Sequence, residues 1–172
     1  MEVRDYNGQG EWSADALKER YRRHCHRLGQ PEARRLTAQE HVEGNVRWVY
    51  PIMHAVIDGI KAGDRACVEL GVEFVESDQK QPFGRSLHAS TARALKRADL
   101  DLQQVTRLRN RILQMLVDGQ VPHEYRAYAN LLRHIGLGPS WPEQRRKVDE
   151  GNKYVMRHVR YFERFGRTED DV

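Results

Sequence analysis

Three groups of side chains in this chain have the types and spacing to do chemistry. His24-Cys25-His26 offers imidazole and thiolate, the ligands zinc prefers. Neighbours on a helix point about 100° apart, so the three cannot face one ion, and no second ligand cluster stands at finger-like spacing. A half-buried Cys25 between solvated histidines is the expected arrangement. Glu69 and Glu73, with His54 and His88, have the donor types of a carboxylate-bridged metal site in a helical bundle. Such sites are signalled by Glu-x-x-His on two helices, and that spacing occurs nowhere in the chain. The acidic stripe Glu69, Glu73, Glu76 is expected to pair with arginines such as Arg93 or Arg97. Ser90 and His88, two apart on a helix, face different ways. A nucleophile elbow, a phosphate loop and a dinucleotide fingerprint are absent. The sequence thus implies no metal and no cofactor, motivates no catalytic residue, and leaves a metal-dependent enzyme built on Glu69 and Glu73 as the third reading.

The strongest functional pattern is arginine. Lys and Arg outnumber Asp and Glu by 29 to 25, and only six of those cations are lysine. Guanidinium suits bidentate contact with carboxylate or phosphate. Arg20, Arg22, Arg23, Arg27, Arg34 and Arg35 gather near the N-terminus, and Arg107, Arg109 and Arg111 lie mid-chain. Near the C-terminus Arg157, Arg160 and Arg164 interleave with Tyr154, His158, Tyr161 and Phe165. Cations that neutralise phosphate beside rings that stack on bases would suit nucleic acid. Positions 154, 158, 161 and 165 also keep core spacing, so a solvated arginine face over a packed aromatic seam is the plainer expectation. The candidate macromolecule-binding residues are Arg20, Arg23, Arg27, Arg107, Arg111, Tyr154, Arg157, Arg160 and Arg164. A helix-turn-helix over Tyr125 to Arg146 is disfavoured by the long Gly136–Ser140 connection and by Glu143, which would repel phosphate.

The elements that must position these groups follow from apolar periodicity. Ser13 caps a helix over 14–28 with Leu17, Tyr21 and Cys25 inward. Thr37 and Glu40 read as a capping box for a second helix, whose stripe Val42, Val46, Val49, Met53, Ile57 and Ile60 runs to Gly63 with a kink at Trp48–Pro51. Asp64 caps the most buried helix, over 65–76. A loop over 77–81 leads to a helix opening at Pro82, Asp101 opens the next as far as Gly119, and Pro122 begins another that ends at Gly136. Ser140 and Glu143 form a second capping box, and one last helix reaches Phe165 with Val148, Val155, Val159 and Phe162 inward.

The fold class expected is therefore all-α, with seven or so antiparallel helices. Residues 1–12 read as a flexible arm, 13–165 as a single helical domain and 166–172 as a polar tail. No apolar run approaches the ~20 residues of a membrane helix, the polar start does not suit a signal peptide, and Cys25 and Cys67 are expected as free thiols, all of which point to the cytoplasm. Ile57-x-x-Ile60-x-x-Gly63 followed by a helix is echoed by Leu113-x-x-Leu116-x-x-Gly119 followed by another. Over about 50–136 this pattern resembles α-helical repeat proteins of the HEAT or armadillo sort, and the resemblance implies stacked helical hairpins; the pattern alone suits an irregular helical bundle equally. The functional expectation is a non-enzymatic interaction domain. A protein partner ranks first and nucleic acid second.

Overall fold

A computed structural model describes residues 1–77 and 80–165. The expected tail at 166–172, with Asp78 and Gln79 of the expected 77–81 loop, lies outside the described residues. Eight α-helices and a small three-stranded sheet are present among them, and the chain divides into two compact units, Met1–Asp99 and Leu100–Val172. Residues 13–165, expected as one domain, are shared between the two. No helix is long and apolar enough to cross a membrane among the described residues.

The first unit comprises β1 (Glu2–Asp5), a 3-10 turn (Gly10–Trp12), α1 (Ala14–Arg27), β2 (Glu40–Glu43), β3 (Val46–Val49), α2 (Met53–Lys61), α3 (Arg65–Glu76) and α4 (Gly84–Leu95). Its centre is α3, which buries nine of its twelve residues and packs on α1, α2 and α4. Small residues permit that closeness: a Cβ on Gly59 would lie 2.3 Å from Cys67 Sγ, and one on Gly71 would lie 2.6 Å from Ile60 Cδ1. The expected cap holds, since Asp64 Oδ1 accepts from the amides of Ala66 (3.0 Å) and Cys67 (3.2 Å). Cys25 and Cys67 are free and buried.

Two expectations fail here for one physical reason. The arm at 1–12 contains β1, and the helix expected from Thr37 is instead a hairpin, β2–β3, followed by the shorter α2. The strand order is β1-β3-β2, with β1 parallel and β2 antiparallel to β3, and Glu43 faces Val46 across the two-residue turn Gly44-Asn45. Gly44 has φ 58°, the left-handed conformation such a turn requires. Period-two alternation arises only where a sheet has one buried face. Every residue of β1 and β2 is exposed and every residue of β3 is half-buried, so no alternation was written. The valines at 42, 46 and 49 meanwhile happen to keep helical spacing. The sheet is braced by rings: Tyr6 lies 6.0 Å from Trp48 and 5.3 Å from Phe83 between centroids, with the Arg4 guanidinium 4.6 Å over Trp48. Phe83, rather than Pro82, precedes the first turn of α4, and it takes a left-handed φ of 58°.

The second unit comprises α5 (Leu102–Val117), α6 (Tyr125–Ile135), α7 (Trp141–Lys147) and α8 (Lys153–Phe165). Asp101 and Gln104 close a reciprocal capping box on α5. The Tyr125 hydroxyl donates to the Ile112 carbonyl at 2.9 Å inside the core. Arg109 of α5 caps the far end of α6, donating to the carbonyls of Ile135 (3.1 Å) and Gly136 (3.0 Å). The single last helix expected from Ser140 is two. Asp149 accepts from the Gly151 amide at 2.9 Å, and Asn152 accepts from Tyr154 (3.0 Å) and Val155 (3.3 Å), so Asp-Glu-Gly-Asn turns the chain and caps a new helix. Ser140 makes no side-chain cap, and Glu143 pairs with Lys147 instead. Val148, Val155, Val159 and Phe162 are buried as expected. The two halves of the sequence echo are each a helix, a glycine turn and a helix, α2–α3 in the first unit and α5–α6 in the second.

Candidate functional site

Two carboxylates of the acidic stripe of α3, Glu69 and Glu73, draw cations from α1 rather than from Arg93 or Arg97. Arg20 pairs with Glu73 while its guanidinium lies 4.3 Å over the Trp12 ring, and His24 Nε2 is 3.0 Å from the other Glu73 oxygen. Burial works to raise the Glu73 carboxyl, and His24 with Arg20 outweighs it, so the group lies below its ordinary range. Arg27 reaches Glu69 at 3.8 Å. Arg20 and Arg27 are thus tied to structure. Arg23 is exposed on the same helix, and Arg107 and Arg111 are half-buried on α5. His88 stacks on Phe74 at 4.1 Å between centroids, and Arg93 donates to Ser90 at 3.0 Å. Among the described residues no three His, Cys, Asp or Glu side chains gather where they could hold a metal ion.

The C-terminal arginine and aromatic pattern behaves differently. With Val155, Val159 and Phe162 facing the core, the neighbouring positions 154, 157, 158 and 161 fall on one adjoining face of α8. The aromatic seam expected to be packed is therefore largely outside the core: Tyr154 is 62% and Phe165 46% exposed, and His158 and Tyr161 are half-buried. Tyr154, Arg157, His158 and Tyr161 form one wall of a cavity of about 580 Å³, and His123, Arg126 and Asn130 form the other. Arg160 and Arg164 are exposed further round α8, the latter with its guanidinium 4.9 Å over Phe165.

Charge in this cleft has one sign. Among the described residues no carboxylate lines it, and neither Arg126 nor Arg157 is ion-paired. Glu163, the acidic residue of α8, is neutralised by Arg145 at 2.7 Å, and Arg145 also holds Glu150 at 2.9 Å. Two of the neutral polar groups, Asn130 and Tyr161, are bonded internally. Tyr161 donates its hydroxyl to Asn130 Oδ1 at 2.8 Å, and Asn130 Nδ2 donates to the Arg126 carbonyl at 3.0 Å. His158 packs against the Tyr125 ring at 4.7 Å; burial, aided by Arg157, pushes its imidazole down to about 4. At neutral pH it is an uncharged ring. The cleft therefore presents aromatic faces and two unneutralised guanidiniums. Lys153 adds a third cation, with its ammonium 5.2 Å from the Tyr154 ring centroid.

A second concavity, of about 610 Å³ in the first unit, also carries arginines, Arg34, Arg35 and Arg65, around Asp64. The Asp64 carboxylate offsets part of that charge and is itself held by Tyr21 (2.7 Å), Gln30 (3.0 Å) and its helix-capping bonds. Sequence reasoning selected Tyr154 and Arg157 of the α6–α8 cleft and missed Arg126, His123 and Asn130. Their only signal was the pairing of α6 with α8, which no local pattern encodes. No protein-family model, curated protein or solved structure matches this chain.

Proposed function

We propose that this protein is a non-enzymatic binding module whose α6–α8 cleft takes an anionic segment of a macromolecular partner. The observation that carries this reading is the cleft's composition: Arg126 and Arg157 face one concavity with no carboxylate among its described lining residues. Two cations left without counter-charge repel each other, and an incoming anion relieves that cost. Binding rather than turnover is favoured because the lining holds no nucleophile with a base beside it. The Tyr161 hydroxyl is committed to Asn130, and the weakly basic His158 ring is packed on Tyr125.

The test reverses charge in one place and uses a matched reversal elsewhere as control. Retention of the full chain on a heparin matrix is measured for Arg126→Glu/Arg157→Glu and for Arg34→Glu/Arg35→Glu, which change net charge equally. The cleft variant elutes at much lower salt than the wild type, whereas the control shifts little. Equal shifts in the two variants would show that retention reports overall charge, and the reading would fall.

A further inference from the structure

We infer that the occupant of the α6–α8 cleft is an unpaired nucleic-acid strand, held by base stacking on Tyr154 and by phosphate contacts to Arg126 and Arg157. This rests on the anionic-partner reading above and goes further by choosing between the two macromolecular classes that could supply the charge. An acidic or phosphorylated peptide must also satisfy its own backbone amides and carbonyls when it enters a cleft. The side-chain amide of Asn130 and the hydroxyl of Tyr161 are already bonded to each other and to the α6 backbone. That leaves the His123 ring and the Tyr154 hydroxyl as the neutral lining groups with which to read a peptide backbone.

What remains suits a polymer that alternates flat rings with charges. Tyr154 is 62% exposed, whereas the same unit buries Tyr125 and Phe162 completely or nearly so. One turn further along α8 stands Arg157, and the half-buried Tyr161 ring follows after another. Rings and cations thus succeed each other at helical repeat along one wall, with Lys153 beside the first ring. Single-strand binders combine stacking platforms with a cationic track in this way. Their tolerance of sequence follows from the stacking itself, since every base presents a π-face. A duplex keeps its bases stacked on one another and would gain only the phosphate contacts.

The test measures fluorescence anisotropy of the full chain with labelled single-stranded oligonucleotides, RNA and DNA, with a duplex of the same length, and with polyglutamate as a polyanion without rings. The single strand is expected to bind at least roughly tenfold more tightly than duplex or polyglutamate. Tyr154→Ala should weaken the single strand by about 5- to 150-fold, the range set by loss of one stacked base, and leave polyglutamate unchanged. Tyr154→Phe restores the strand, while Arg157→Gln weakens both ligands. Tyr154 is exposed, so its replacement does not threaten the fold. Equal affinity for duplex and single strand, or indifference of the strand to Tyr154→Ala, overturns the inference. Polyglutamate binding that depends on Arg157, without strand binding, overturns the inference and spares the anionic-cleft reading; failure of every polyanion to bind removes both.

Discussion

Tyr161 on α8 donates its hydroxyl to Asn130 Oδ1 on α6 at 2.8 Å, and this bond spans the cleft floor from wall to wall. It orients the Tyr161 ring and commits its hydroxyl proton to Asn130. Tyr161→Phe keeps the ring and leaves one Asn130 acceptor without its donor. A stability loss of about 0.5–1.5 kcal/mol is expected in urea denaturation, with oligonucleotide affinity changed by less than about threefold. A large loss of affinity with stability intact would mean that the hydroxyl itself contacts the ligand.

Salt dependence gives a count of the cations that meet phosphate. For a single strand the logarithm of affinity falls against the logarithm of salt with a slope of about −0.7 per neutralised phosphate. Arg126 and Arg157 together predict a slope of about −1.4, which Lys153 beside Tyr154 would steepen to about −2 if it meets a further phosphate. Arg157→Gln should bring it up by about 0.7, and Arg23→Gln on α1 should leave it alone. A slope that responds equally to both substitutions would place the strand elsewhere.

In the first unit, Glu73 joins α3 to Arg20 and His24 of α1. The folded carboxyl lies below its ordinary range. The unfolded chain therefore binds more protons as pH falls, and the stabilisation present above the unfolded value near 4.5 is lost as pH drops through the folded one. Glu73→Gln, which strands a half-buried guanidinium, should cost about 1–3 kcal/mol at neutral pH and flatten the acid limb of the stability curve. Urea midpoints at several pH values measure both, and an unaltered acid limb would mean that Glu73 does not contribute to it.

How much of this was legible in the sequence depends on whether a feature is local or formed by pairing distant segments. Ser13, Asp64 and Asp101 announced helix starts correctly because a cap is satisfied within its own first turn, and the buried faces of α1, α3 and α5 were written at their own periods. The sheet was not legible because its strands bury no full face, although Gly44-Asn45 between two valine-bearing runs was a hairpin signal that the helical spacing masked. Half the cleft was legible, since Tyr154 and Arg157 share one helix. Arg126 and Asn130 reach them only once α6 packs on α8. Arg20 and Arg27 show the converse: the same residue type in a run can be consumed by carboxylates of another helix.

His158 supplies the last prediction, a pH dependence with a determined sign. Its imidazole is pushed from an ordinary 6.5 to about 4, chiefly by burial and secondarily by Arg157. Between those values the unfolded chain holds a proton that the folded chain refuses, so folding stability rises with pH. The contribution is full above about 6.5 and disappears progressively as pH falls toward 4. Arg157→Gln removes only the lesser cause, so the ring proton signals of His158 should titrate at a somewhat higher pH yet still well below 6.5. His158→Phe, which keeps a ring against Tyr125, should lessen the slope of stability over that interval. The difference between wild type and variant isolates this one group from the other histidines. If the two slopes coincide, or if His158 titrates near 6.5 in the folded chain, the ring is solvated rather than packed as an uncharged part of the α8 wall.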